Sequence, residues 1–246
     1  MLADFDVTFD FRSDTPLDKD PDVFSATLHR YHQALWSKPL PSGVEFSLQD
    51  ARPKGYLHHR SALGEFFLSS DSVIPSFRKE AKLASAFAEI PPDARDEFLR
   101  ATYTIGGMMI FPANVVDRKM TINGARGFHP RIKDRFDLTV ECIRRLYRHE
   151  QSSLTDALSR YASFFALFQD FRGYVDFFLL QDIVVADYST VRFHAPFTGF
   201  DKSPLPADLD AYLAYRRLST QFLAERNQRM LENIALRALG TVRPIA

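Results

Sequence analysis

Apolar and polar residues alternate at the start of the chain, where Phe5, Val7, Phe9 and Phe11 interleave with Asp4, Asp6, Thr8, Asp10 and Arg12. Period-two alternation marks a half-buried strand, so the pattern predicts one over 5–11. The turn formers TPLDKDPD follow. Ser25 is a suitable N-cap for a helix through Trp36, with Leu28, Tyr31, Leu35 and Trp36 on its apolar side. Pro39 and Pro41 end that helix. An irregular connection follows, with a short strand at 44–48. GEFFLSS at 64–70 reads as a strand or a helix start. Residues 76–90 carry a helical pattern on Phe77, Ala81, Ala84, Phe87 and Ala88, and after Pro91 and Pro92 a second helix begins at Asp93.

The organising stretch runs from 103 to 149. Thr104–Phe111 is an apolar run holding Gly106 and Gly107 and closed by Pro112. Paired glycines disfavour a helix, so the run predicts a strand, and glycine there marks tight packing or close approach of another backbone or a ligand. Residues 112–130 hold Asn114, Asn123, Gly124, Gly127 and Pro130, which predicts a loop of roughly fifteen to twenty residues, a length associated with function. From Arg131 the pattern turns helical, with Ile132, Phe136, Val140, Ile143 and Tyr147 on one stripe.

Leu154 opens another helix with Leu158, Tyr161, Phe165 and Phe168 as its spine. Residues 173–185 are apolar on nearly every side, which predicts a buried helix. Asp176 and Asp182 on it need partners, and Arg126, Arg144 and Arg172 are the candidates. Residues 191–200 predict a short strand and a loop. A final helix runs to about Leu239. Together these elements predict a mostly helical α+β fold with a small sheet, in one globular domain over 1–246.

Composition narrows the setting. Thirty-one Lys and Arg balance 31 Asp and Glu, which argues against a nucleic-acid coating protein but leaves room for a local basic site. The single cysteine, Cys142, cannot form an internal disulfide, so a cytoplasmic, reducing home is expected. No basic apolar leader opens the sequence, and no apolar run of about 18 residues would span a membrane.

Charge is nevertheless unevenly placed. From Arg118 to His149 nine Lys and Arg face three Asp and Glu. Small residues beside an arginine let backbone N–H groups and a guanidinium share an anion. Arg126, between Ala125 and Gly127, is therefore the expected main anion contact, with Arg118, Lys119, Asn123, Arg144 and Tyr147 completing a ligand-binding set. Neither phosphate-loop pattern occurs, so no nucleotide cofactor is specified. No metal site is expected: His29 and His32 lack further ligands, and the seven aspartates of residues 1–24 lack the order of a calcium loop. In YLHHR, His58 and His59 point to opposite faces of an extended segment. His58, Arg144 and His149 are the candidate catalytic residues.

The segments LWSKPLPSG, YLHHRSALGEFFLSSDSVI, YTIGGMMIFP, TINGARG, DRFDLTVECIRRLY and FRGYVDFFLLQDIV resemble a family of bacterial proteins known only as a domain of unknown function. The resemblance covers nearly the whole chain. It implies one continuous domain in a bacterial intracellular setting, and it brings no activity or site.

Three function classes follow. The basic loop and helix point first to a phosphate-rich ligand, nucleic acid by default, with Tyr147 available to stack on a base. Arg144 and His149 match the RxxxxH spacing of the HEPN ribonucleases, which makes the chain a candidate enzyme. The third class is a non-catalytic interaction module with a Phe-rich docking surface.

Overall fold

The computed structural model describes residues 4–51 and 56–241, so part of the irregular connection, 52–55, lies outside the described residues. The chain opens with short α1 (Pro21–Phe24) and α2 (Ala26–Trp36), the latter capped by Ser25 Oγ, which accepts from Leu28 N at 3.0 Å. Two-residue strands β1 (Lys38–Pro39) and β2 (Glu45–Phe46) pair with each other. Strands β3 (Gln49–Ala51), β4 (Tyr56–Ser61), β5 (Gly64–Ser72) and β6 (Met108–Pro112) form an antiparallel sheet in that order. Between β5 and β6 lie α3 (Ala84–Ala88) and α4 (Pro92–Thr102). Then come α5 (Ile122–Phe128), α6 (Phe136–Tyr147), α7 (Thr155–Ser159), α8 (Ala162–Ala166), α9 (Phe171–Phe177) and the long α10 (Leu209–Thr241). This is the mostly helical α+β arrangement expected. Among the described residues, no helix is long and apolar enough to cross a membrane.

The strand expected over 5–11 does not form. Phe11 is fully buried and Phe5 stacks on Tyr31, so the alternation did mark the inward side chains. The backbone is turned instead: Asp6 Oδ1 accepts from Thr8 N at 2.8 Å and Asp10 Oδ1 from Arg12 N at 3.0 Å. Aspartate turns of this kind compete with a ladder. The helix expected over 76–90 shrinks to a 3-10 turn and α3. Residues 173–185 form α9 and a separate 3-10 turn at Gln181–Ile183, not one helix.

Edge strand β6 is buried at every position. It is covered by α5 and by α10, whose Arg226 donates to Gly106 O (2.8 Å), Met108 O (3.1 Å) and Phe178 O (3.1 Å). Gly106 and Gly107 lie in a 3-10 turn just before β6. A Cβ at Gly106 would sit 2.8 Å from Leu223 O and 2.7 Å from Asn227 Oδ1, so glycine admits α10. Tight packing by another backbone, one of the two expected reasons for these glycines, is the one realised.

The sheet is tied to α1 through a carboxyl. Asp22 is buried and its Oδ1 accepts from Ser70 N at 2.5 Å. Burial pushes the Asp22 carboxyl up to about 8, with the Ser70 N–H pulling the other way. The folded state therefore holds a proton there that the unfolded chain releases near its ordinary value of 3.8. The stabilising contribution is whole below that value, declines as pH rises and is gone once pH passes about 8. Asp22→Asn, which keeps an acceptor for Ser70, is expected to remove this decline, a difference on the order of a few kcal/mol between pH 5 and pH 8. Urea midpoints of both proteins across that range check it. Parallel pH profiles would show that Asp22 is not the titrating group.

Candidate functional site

Thr121 Oγ1 accepts from Gly124 N at 3.4 Å and starts α5 inside the stretch expected to be a loop. Two glycines in seven residues obscured that helix. It partitions two cavities: Gly127 lines one, while Ala125 and Phe128 line the other.

The first cavity, about 370 Å³, has Asp71 and Asp134 in its wall and Arg78, Lys79 and Lys133 around it. Arg126 lies behind it, fully buried. Its Nε donates to Thr139 Oγ1 (3.0 Å), and its terminal nitrogens donate to Asp71 Oδ2 (3.0 Å) and Asp134 O (3.3 Å). Asp134 Oδ1 is 3.1 Å away, and the guanidinium also lies over the Phe111 ring. Burial raises the Asp71 carboxyl, although Arg126 opposes the shift. Phe77, Lys133 and Asp134, all in this wall, have φ of 57°, 49° and 65°. Side chains rarely adopt that backbone region, and such strain persists only where surrounding contacts enforce it.

The second cavity, about 610 Å³, is an open groove between residues 118–130 and α7. Asp117 and Arg118 form a tight turn, with φ of 54° and 58° and a Lys119 N to Val116 O bond of 3.0 Å, which thrusts Arg118 and Lys119 outward. Neither cation has a carboxylate within 4 Å among the described residues, and both are exposed. Arg160, just past α7, donates to Met120 O (2.7 Å) and Asp156 O (2.7 Å), which fixes its guanidinium on the groove wall. Met120 and Phe128 supply apolar surface at 55% and 79% exposure. Burial and nearby Arg131 lower the His129 pKa, so this imidazole is neutral at pH 7. Asp156 is the one carboxylate in the lining.

The candidate residues thus separate. Arg126, expected as the main anion contact, is an internal ion-pair partner, because two carboxylates converge on it from β5 and the 133–135 turn. Asn123 Nδ2 donates to Ser69 Oγ at 3.1 Å. Arg144 holds Glu141 through two bonds of 2.7 and 2.9 Å, with Glu150 at 3.7 Å. Tyr147 is part-buried and donates to Phe165 O at 2.6 Å inside an aromatic cluster with Phe165, Phe171 and Tyr174. His149 follows the end of α6, exposed, with φ of 57°. His58 contacts Glu65 at 2.9 Å on the β4–β5 hairpin, while His59 is buried on the opposite face, as the alternation required. Cys142 is buried, and burial pushes its thiol up to about 12. Of the expected set only Arg118 and Lys119 line the groove. Arg160, Phe128 and His129 were missed. Phe128 carried a signal, a large apolar residue beside turn formers, and Arg160 carried none.

His32 is buried between Ser70 Oγ (2.8 Å) and Trp36 Nε1 (3.0 Å), while His29 contacts Asp50 and Asp22 O, so the two histidines do not share a ligand site. Among the described residues no group of three His, Cys, Asp or Glu could hold a metal ion. A family model described as a family of unknown function (DUF6994) matches residues 5–230. No curated protein and no solved structure matches the chain.

Proposed function

The chain belongs to the DUF6994 family of unknown function, and from that premise we propose that the groove beside α5 binds a phosphate-rich ligand, single-stranded nucleic acid by default. The observation that carries the reading is the exposed, carboxylate-free pair Arg118 and Lys119 next to exposed Phe128. Phosphates would meet Arg118, Lys119 and Arg160 while a base stacks on Phe128. Cationic tracks with aromatic platforms bind single strands with little sequence preference. Arg118 is the stronger phosphate contact, since a planar guanidinium binds oxyanions bidentately and an ammonium does not.

Fluorescence anisotropy with a short RNA and a short DNA at low and moderate salt tests the reading. Arg118→Ala is expected to weaken binding by about 1–3 kcal/mol and to reduce the salt slope by about one. Phe128→Ala is expected to cost about 1–3 kcal/mol per stacked base with the salt slope kept. Neither should move the melting temperature appreciably, because both side chains are exposed. Absence of binding, or binding indifferent to salt and to both substitutions, overturns the proposal. That result would leave the groove as a protein-docking surface.

A further inference from the structure

A third cavity, about 440 Å³, opens between β1 and α9 and is lined by Lys38, Pro39, Leu40, Pro41, Asp170, Arg172, Asp176 and Phe177 among others. Its chemistry centres on one amine. Lys38 Nζ donates to Phe177 O at 2.6 Å and lies 4.6 Å from the centre of the Phe177 ring and 5.2 Å from that of Trp36. Among the described residues no carboxylate lies within 4 Å of it. The charged groups around it come from two elements. Arg237 on α10 is held by Ala34 O, Leu35 O and Ser37 O, at the end of α2 beside Lys38. On α9, Asp176 accepts from Tyr188 Oη (2.6 Å) and Gln181 Nε2 (2.8 Å), and Arg172 sits 3.7 Å from Asp176 and over the Tyr188 ring. Asp170 is occupied by Gly173 N.

We propose that Lys38 is a nucleophilic amine that forms an imine with a small aldehyde or ketone carrying an anionic group, the anion being drawn by Arg172. Three features support this. Among the described residues no carboxylate within 4 Å holds an ammonium there, so only Phe177 O and the two ring faces offset its charge. Burial, then Arg237, pulls the Lys38 pKa down to about 8, with Asp176 only partly opposing. Desolvation and a neighbouring cation are the two established ways to activate a lysine. The single bond to Phe177 O uses one N–H and leaves the lone pair of the neutral amine available to the cavity.

The step balances without any other reagent. The Nζ lone pair attacks the carbonyl carbon, the C=O π pair moves to oxygen, and a proton passes from nitrogen to that oxygen through water. The carbinolamine then loses its hydroxyl with the remaining amine proton as water, and C=N forms.

The test is reductive trapping of the full chain with glyoxylate and cyanoborohydride at pH 7.5, followed by peptide mass mapping. The neutral fraction of Lys38 greatly exceeds that of a lysine titrating near 10.5, and lower basicity returns part of this advantage. Lys38 should therefore label about tenfold faster than exposed Lys79, Lys82 or Lys119. Its rate should rise through about pH 8 and then level. Lys38→Arg should abolish the fast label with melting temperature retained. Arg172→Gln should slow glyoxylate labelling severalfold and leave labelling by propionaldehyde, which is neutral, unchanged. Uniform labelling of all lysines, or a Lys38 rate that keeps climbing to pH 10, overturns the proposal. An equal effect of Arg172→Gln on both probes overturns the anionic preference. Should Lys38→Arg unfold, the wild-type site map and pH profile still decide.

Discussion

Arg126→Ala is expected to lower the unfolding free energy by about 3–5 kcal/mol, the range for removing one partner of a buried ion pair. The guanidinium is wholly enclosed and answers Asp71, Asp134 and Thr139 at once. Its loss strands two carboxylates at the wall of the first cavity and opens a void beneath the Phe111 ring. Urea unfolding monitored by fluorescence and circular dichroism measures it. Asp71→Asn in the Arg126→Ala background should recover part of the loss, because one stranded charge disappears. Arg118→Ala, a cation of the same chain but exposed, should stay within about 0.5 kcal/mol of wild type. An Arg126→Ala protein as stable as wild type would show that the enclosure is loose and that the side chain can turn outward.

Arg135→Ala is expected to cost at least as much, about 3–5 kcal/mol. Arg135 and Asp137 are both buried and face each other through bonds of 3.0 and 2.5 Å. Arg135 also donates to Pro204 O and Ala195 O, both at 2.8 Å, while Asp137 accepts from His194 N at 2.8 Å. Burial alone would raise the Asp137 carboxyl, but Arg135 overcomes it and holds the group below its ordinary range. The pair's stabilisation is thus present above that range and lost as pH falls through the lowered folded value. The alanine variant should lose protection from amide exchange first over residues 193–206, whose carbonyls it deserts. Replacing both partners by apolar residues, Arg135→Met with Asp137→Leu, should be far milder than the single change, since no charge is left buried. Equal losses for the single and double variants would place the energy in packing rather than in the ion pair.

How far the sequence could be read depends on how far apart the cooperating residues lie. α2 was legible because Ser25 and the apolar spacing are local. So was the stripe of α6. Gly106 and Gly107 were legible as sites of close approach, although what approaches, α10 at Gly106 and the Thr102 backbone of α4 at Gly107, could not be named. Asp182 was legible as a carboxylate in need of an arginine, and it has one in Arg229 at 2.5 Å, not among the three candidates named. Asp176 keeps Arg172 only at 3.7 Å and at the surface. Arg126 failed as a site residue for the same reason: its partner Asp71 is 55 positions away, so its small neighbours read as room for a ligand. Those neighbours are helix α5, which turn composition concealed. The alternation at 5–11 reported burial correctly but could not report that no strand is there to pair with.

The long-range anchoring of α10 has a consequence for the order in which the molecule is made. Tyr215 reaches Pro75 O across 140 positions, Arg226 reaches Gly106 O across 120, and Arg237 reaches Ala34 O across 203. Until residues 209–241 have left the ribosome, the carbonyls before β6 lack their donor and the apolar surface they border stays wet. Contacts so distant in sequence slow folding and lengthen the time that sticky intermediates persist. Synthesis must therefore deliver residues 209–241 before this interior can close. A nascent chain halted before α10 should be held by chaperones and cleaved by added protease, and emergence of α10 should bring protection in a single step.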